Sequence, residues 1–263
     1  MKILFFDIQI TGHHSEYIGH LIDCLKTSND ANEYYFIVHP NFSHEFPIIS
    51  SIAKSIKNVN WVEIKGDELK NLQHLGMVKK SFMSYRLMHR YAIRFKVSHV
   101  CLLYFNTFQL AFCFFKPRYT TSGILFLQFY RMSKNTGKEK LKYYRKYLTT
   151  KLYTLNPKLK KIFILNDNKT AVYLNNEFNT NIFEMLPDPI PDLRSLDNFD
   201  IYSYYNIDRN SKIFLHIGAL GNRKGTFGII KSALFLPREK QKNITILLAG
   251  CASNKETEAL MFE

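Results

Sequence analysis

The residues best suited to chemistry lie between Gly218 and Gly225, where three glycines surround the adjacent cations Arg223 and Lys224. Glycine lets the backbone approach a ligand closely, and the two cations favour an anion. The spacing Gly-x-x-Gly-x-x-x-Gly fits neither the dinucleotide pattern Gly-x-Gly-x-x-Gly nor the Walker sequence. The loop therefore predicts a phosphate site that belongs to neither of those enzyme classes. The alternative is an ordinary strand-to-helix turn with solvated basic residues.

The flanking segments predict a βαβ unit that would hold this loop at the edge of a sheet. Residues 213–217 and 243–250 are apolar runs, and residues 227–236 repeat apolar side chains at helical spacing. The loop would then lie at the carboxyl edge of a parallel sheet, with the N-terminus of the next helix directed at a bound anion. The buried face of that helix is expected to consist of Phe227, Ile230, Leu234 and Phe235.

A second candidate loop follows the amino-terminal strand, predicted at residues 2–8, and contains Gly12, His13 and His14. A helix should follow, with Ser15 as its N-cap. We expect one histidine of the pair to face a ligand cleft, and the sequence does not choose between them; the alternative is two solvated loop histidines. One such loop in each half of the chain is what a cleft between two facing Rossmann-like domains requires.

These motifs resemble GT-B glycosyltransferases of family four. The run Phe214-Leu-His-Ile-Gly218-Ala-Leu-x-x-Arg223-Lys224-Gly225, followed by Ile246-Leu-Leu-Ala-Gly250, looks like the opening of that family's donor domain. Gly12-His13-His14-x-x-Tyr17 resembles its amino-terminal glycine-rich loop. Many members carry an arginine directly after the strand-ending glycine, where this chain has Ala219.

The resemblance implies that Gly218, Arg223, Lys224 and Gly225 bind the diphosphate of a nucleotide-sugar. It also implies retention of the anomeric configuration, no required metal or other cofactor, and an acceptor in cell-surface polysaccharide synthesis. The expected fold is α/β and GT-B-like: an acceptor-side Rossmann-like domain over 1–187, a proline-rich linker over 188–211, and a partial donor domain over 212–263.

The acceptor side offers weaker candidates. Residues 122–131 begin as a buried strand, and Gln128, Tyr130 and Arg131 at its end can line an acceptor site or serve packing and surface roles. Many members of the resembling family place a histidine at this strand end, but no histidine occurs between His99 and His216. No catalytic residue is therefore assigned.

The chain of 263 residues carries 36 basic against 22 acidic residues, a net charge of +14, which favours a polyanionic partner. No nucleic-acid-binding signature accompanies this charge, so an anionic membrane surface is the preferred interpretation. No run of eighteen apolar residues or signal-peptide core is present, which predicts a cytoplasmic protein, peripheral at most on the inner face of the membrane. The four cysteines lack zinc-binding spacing and are expected to be buried free thiols.

The most basic segment, residues 138–161, predicts the helix that would contact this membrane. Apolar residues step by three or four along one stripe, with lysines, arginine and tyrosines beside it. Such a helix lies at an interface or packs the stripe on its own sheet. The stripe consists of Leu141, Tyr144, Leu148, Leu152 and Leu155.

The predicted reaction is transfer of a glycosyl group from a nucleotide-diphosphate sugar to a hydroxyl acceptor. The alternatives are a non-catalytic GT-B-like protein that binds a membrane or polyanion, and a sugar-nucleotide epimerase. After Pro191 the sequence offers two strands, one complete helix and the start of another at residues 254–263, too few to complete a donor domain. The 263-residue form is therefore expected to perform no transfer and to associate through residues 212–250.

Overall fold

Strands and helices alternate along the first two thirds of the chain, as the apolar runs predict. The computed structural model describes residues 1–126, 128–189 and 199–252, without the side chain of Arg223. The chain divides into two units, Met1–Pro191 and Asp192–Glu263. The division falls inside the predicted linker 188–211, of which residues 190–198 lie outside the described ranges. The helix start expected at residues 254–263 lies outside them as well.

The first unit contains a parallel sheet flanked by helices. Its strands are β1 (Lys2–Asp7), β2 (Glu33–Val38), β3 (Val59–Glu63), β4 (His99–Leu102), β5 (Thr120–Leu125), β6 (Leu159–Leu165) and β7 (Phe183–Leu186). Its helices are α1 (His14–Thr27), α2 (Phe42–Glu45), α3 (Pro47–Ser55), α4 (Gly66–Lys70), α5 (Met77–Arg94), α6 (Gln109–Phe114), α7 (Gly137–Thr154) and α8 (Asn168–Phe178). Short 3-10 turns cover Phe105–Thr107 and Phe129–Arg131.

The strand order among the described residues is β3-β2-β1-β4-β5-β6-β7, and every neighbouring pair is parallel. The order reverses between β1 and β4, where Leu4 lies opposite Val100. Open α/β sheets bind ligands at such a reversal, just beyond the carboxyl ends of the strands. The topology therefore places the loops after β1 and β4 at the expected binding edge.

Apolar side chains on alternate positions of β1 serve opposite faces of the sheet. Leu4 and Phe6 join one core cluster, which α5, α6, α7 and α8 cover, and Ile3 and Phe5 pack against a second cluster, which α1 and α3 cover. Both faces are thus buried, as parallel sheets require. In β5 a Cβ atom at Gly123 would lie 2.9 Å from the carbonyl oxygen of Leu102, so only glycine fits beside β4.

Helix α7 packs on the sheet with the face opposite to its apolar stripe. Tyr143, Thr150 and Tyr153 are its buried residues. The five residues of the predicted stripe are 41% to 73% exposed. The ring of the half-buried Tyr147 packs against the same core cluster as Tyr143 and Tyr153, so three large aromatic rings face the sheet. Packing of the stripe on the sheet is therefore ruled out.

Within residues 199–252, the second unit contains two parallel strands, β8 (Lys212–Ile217) and β9 (Ile244–Ala249), with α9 (Ile201–Tyr204), α10 (Thr226–Leu234) and α11 (Arg238–Gln241). A 3-10 turn covers Asn222–Lys224. The expected buried face of α10 is wrong at its carboxyl end, because Leu234 and Phe235 are 69% and 88% exposed. Two described strands are too narrow to cover the length of that helix.

Two further expectations concern single residues. Cys101 and Cys113 are partly buried free thiols as expected, but Cys24 and Cys251 are exposed, which corrects the prediction for those two. Ser15 does not cap α1: the helix begins one residue earlier, at His14, and Ser15 is buried in its first turn. No helix among the described residues is long and apolar enough to cross a bilayer.

Candidate functional site

A histidine and a carboxylate meet at the carboxyl end of β1. Nδ1 of His14 lies 2.6 Å from Oδ2 of Asp7, and the side chains are 14% and 1% exposed. The backbone N–H of Gln9 donates to the other Asp7 oxygen at 2.9 Å, which fixes the carboxylate. Because Asp7 engages Nδ1, Nε2 is the nitrogen that can exchange a proton with a ligand. The pair can orient and polarise a hydroxyl group.

The turn between these two residues explains how they come together. Asp7 ends β1, and Gly12 has a positive φ of 78°, a conformation that favours glycine. The chain thereby turns so that His14 begins α1 facing the strand it has just left. His13, by contrast, is 77% exposed and pairs with Glu16 at 2.7 Å. The structure thus distinguishes the two histidines, which the sequence left equivalent.

Aromatic rings from the neighbouring strand ends surround His14. Its ring lies 5.2 Å from that of Tyr104, after β4, and 6.0 Å from that of Phe126, after β5. Burial and the nearby charge of Asp7 raise the pKa of Tyr104, which keeps its hydroxyl protonated. Tyr17 donates to Asp188 at 2.5 Å and packs edge-on against Phe126. Three strand ends therefore converge on one partly apolar site around His14.

The three residues expected on the acceptor side, Gln128, Tyr130 and Arg131, differ from one another in their surroundings. Arg131 donates twice to Asp167, at 2.9 Å each, and this ion pair holds the pKa of Asp167 well below its usual range. Tyr130 stacks on Tyr173 with ring centroids 4.2 Å apart. Both arrangements position α8, so these two residues have structural partners. Gln128 differs, because its buried Oε1 accepts no hydrogen bond from the residues that the structure describes.

Backbone contacts hold the start of the glycine loop (residues 218–225) of the second unit against the end of β9. Gly218 N donates to the carbonyl of Ala249 and Leu220 N to that of Cys251, each at 2.9 Å. A Cβ atom at Gly250 would lie 1.8 Å from the Gly218 carbonyl oxygen, so the two strand ends touch through glycine. Gly218 and Gly225 have positive φ values of 118° and 77°. These contacts fix where the loop leaves β8.

Inside the loop, the hydroxyl of the fully buried Thr226 accepts from Gly221 N at 2.9 Å and lies 3.0 Å from Nε2 of His216. Thr226 is the first residue of α10, so the loop closes onto the helix N-terminus. No acidic residue occupies the first turn of α10. Lys224 is exposed, and the side chain of Arg223 lies outside the described residues. The arrangement suits an anion at Gly218, Lys224 and Gly225.

Sequence reasoning missed Asp7, Tyr104 and Thr226. Asp7 carried a signal, since it is an acidic residue that ends an otherwise apolar strand. Tyr104 could not be found without the strand order, which brings the end of β4 beside that of β1. No group of three or more potential metal ligands occurs among the described residues.

Solved structures of known proteins resemble this fold. No family model and no curated protein matches the sequence. The crystal structure of WaaG, a glycosyltransferase involved in lipopolysaccharide biosynthesis, aligns with 99% of this chain and 66% of its own, with a TM-score of 0.55 and 12% identity. CalG4, the calicheamicin glycosyltransferase, aligns with 93% and 69%, with a TM-score of 0.46 and 13% identity. The first likeness confirms the predicted α/β GT-B fold, over about two thirds of the length of WaaG.

Proposed function

We propose that this chain carries the acceptor side and the diphosphate loop of a glycosyltransferase that uses a nucleotide-diphosphate sugar. The observation that carries the proposal is the His14–Asp7 pair, located at the reversal of strand order in a sheet of glycosyltransferase fold. The acceptor is a sugar or a lipid-linked sugar in cell-surface polysaccharide synthesis. Nucleic acid is not a partner.

On the acceptor side, Nε2 of His14 accepts a hydrogen bond from the attacking hydroxyl and takes its proton as the new bond forms. Asp7 stabilises the imidazolium that results and keeps the ring in one orientation. Proton transfer to a side chain suits direct displacement, which inverts the anomeric configuration. The configuration of the product therefore tests this role of His14. An inverted product supports proton transfer to His14, and a retained product supports the mechanism that the family resemblance implies.

On the donor side, the leaving nucleoside diphosphate gains negative charge as the glycosidic bond breaks. Arg223, Lys224 and the N-terminus of α10 stabilise that charge more strongly in the transition state than in the ground state. Thr226 holds the loop in position before the donor arrives, so little reorganisation is needed on binding. The reaction as proposed uses no metal and no cofactor.

The exposed stripe of α7 supports peripheral attachment to an anionic membrane through residues 138–161. At about 100° per residue, Lys140 and Lys151 fall on one side of the stripe and Lys138 and Arg145 on the other. An apolar strip between two rows of cations is typical of helices that lie in a lipid headgroup region. Attachment would bring the protein to a lipid-linked acceptor at the inner face of the membrane.

Calorimetry with nucleoside diphosphates tests the donor site. The double variant Arg223→Ala, Lys224→Ala removes two charge-assisted contacts of about 1.5–3 kcal/mol each, so affinity should fall at least tenfold. The control Lys231→Ala, Lys240→Ala removes the same charge from α10 and α11 and should leave affinity unchanged. Equal affinity of wild type and loop variant would refute the assignment of this loop.

Incubation with sugar nucleotides separates the alternatives. Release of nucleotide that depends on an added acceptor supports transfer, and conversion of the donor without acceptor supports epimerisation. Membrane or polyanion binding with no affinity for any nucleoside diphosphate supports the non-catalytic alternative.

A further inference from the structure

A cavity of about 350 Å³ opens at the carboxyl edge of the first unit's sheet, and the function proposed above leaves it unused. Its walls come from the loops after β1 and β4 and from α5, α6 and α7. The residues that matter here are Gln9, Lys80, Tyr104, Thr107, Arg145 and Lys146. Arg145 reaches across to α5, where its guanidinium lies 3.9 Å from the sulfur of Met77.

The lining of this cavity is positively charged. Lys80, Arg145 and Lys146 all line it, and no aspartate or glutamate does so among the described residues. The cavity also borders the first turn of α5, which contains no acidic residue and whose N-cap, Gly76, has no side chain to cap it. A helix N-terminus adds partial positive charge to the three cations. Desolvation and the neighbouring Lys142 and Arg145 lower the pKa of Lys146, as expected where positive charge accumulates.

The cavity approaches the His14–Asp7 pair on the side of Asp7. Asp7 lines a small adjoining cavity, and Gln9, Lys80, Tyr104 and Thr107 line both. The Tyr104 ring that borders the larger cavity contacts His14 at a centroid distance of 5.2 Å. A ligand anchored by its charge in the larger cavity would therefore extend past Tyr104 towards His14.

We propose that this cavity binds a phosphate group of the acceptor, which thereby presents its hydroxyl to His14. The proposal rests on the glycosyl-transfer function above. Phosphate suits the site better than carboxylate, because its charge of nearly two matches several cations and its three oxygens accept from both an arginine fork and lysines. A volume of about 350 Å³ also leaves room for part of an attached sugar.

Two sources can supply this phosphate: a soluble sugar phosphate or a lipid-linked phosphate in a membrane. Arg145 belongs both to the cavity wall and to the flank of the exposed stripe of α7, so a phosphate at the membrane surface is within the reach of the same helix. Both sources present the same phosphate chemistry. The experiment distinguishes them by offering the phosphate either in solution or in a vesicle.

The soluble arm measures binding of glucose 1-phosphate and inorganic pyrophosphate by calorimetry. It uses the Arg223→Ala, Lys224→Ala background, so that the donor loop does not contribute. Adding Lys80→Gln and Arg145→Gln should weaken binding at least tenfold. The control pair Lys26→Gln and Lys169→Gln removes the same charge from exposed sites on α1 and α8 and should change nothing.

The membrane arm compares phosphatidylcholine vesicles that contain a polyprenyl phosphate with vesicles that contain phosphatidylserine at equal charge. Preference for the polyprenyl phosphate, lost in Lys80→Gln, Arg145→Gln, assigns a lipid-linked acceptor. Soluble binding with the same loss but without this preference assigns a soluble acceptor.

The proposal is overturned if neither the Arg223→Ala, Lys224→Ala protein in the soluble arm nor wild type in the membrane arm shows binding, or if cavity and control variants bind equally. The donor test is independent of this result. Normal nucleotide binding with an inert cavity rejects the phosphate site alone, and phosphate binding without nucleotide binding rejects the donor assignment alone. Circular dichroism of every variant shows whether a loss reflects unfolding instead, and a variant that unfolds is replaced by Lys80→Met or Arg145→Met, which remove the same charge.

Discussion

The two parallel sheets of this protein use similar sequences in different ways. In β2 every residue from Tyr34 to Val38 is buried, because helices cover both faces of the larger sheet. In β8 the comparable run is open, with Phe214 53%, Leu215 54% and Ile217 70% exposed. An apolar run therefore predicts a strand reliably, whereas burial depends on how many strands and helices lie around it. The expected association through residues 212–250 stays a prediction based on these exposed side chains.

Replacing one phenylalanine in each sheet by alanine should give the largest difference in the free energy of unfolding. Phe6→Ala empties a position that is 1% exposed, and such changes cost about 3–5 kcal/mol of unfolding free energy. Phe214→Ala removes a ring that is already half exposed and should cost about 1 kcal/mol or less. Denaturant unfolding, with hydrogen exchange to localise the effect to β1 or β8, measures both. A cost for Phe214→Ala as large as that for Phe6→Ala would mean that another surface covers β8.

The two faces of α7 allow buried and exposed apolar positions to be compared within one helix. Leu141→Gln with Leu148→Gln changes exposed positions, so stability should change little while binding to anionic vesicles falls several-fold. The control Ile48→Gln, Val172→Gln changes equally exposed apolar residues on α3 and α8 and should keep vesicle binding. Flotation at two salt concentrations measures this, since the part due to lysines is screened by salt. Full binding by the α7 variant would show that the stripe does not contact lipid.

The pH dependence of stability should give the smallest effect, and it should arise in the first unit. His99 lies between the hydroxyls of Thr120 and Ser122, at 2.8 and 2.9 Å, and burial lowers its pKa. The folded state therefore favours the neutral ring. In the unfolded state His99 takes up a proton as the pH falls through the ordinary histidine pKa of about 6.5. Stability should decline below that pH.

Unfolding midpoints measured from pH 8 to pH 5 in wild type and in His99→Gln test this expectation. The variant should lose stability at every pH but show a shallower decline, because it cannot take up the proton. An identical slope in the two proteins would assign the decline to His39 and His89, whose pKa values are also lowered by burial.

The sequence predicted β1, β5, α1 and α7 in the first unit, because each strand is a short apolar run and each helix repeats apolar residues at helical spacing. It left the orientation of α7 open, because this helix has two apolar faces; the structure buries Tyr143 and Tyr153 and leaves Leu148 exposed. It failed where a contact depends on strand order. The approach of Tyr104 to His14 joins residues ninety positions apart in the chain, and no local pattern encodes it.

The contact between Gly218 and Gly250 has a consequence for the order of events during synthesis. Domains generally fold from the amino terminus as the chain emerges, at about 5–20 residues per second. The larger sheet can close once β7 is made, but the backbone N–H groups of the loop after β8 donate to the carbonyl oxygens of Ala249 and Cys251. The loop at residues 218–225 therefore cannot acquire its observed shape until some thirty further residues have emerged. Under the function proposed above, a nascent chain would accordingly recognise the acceptor before the donor.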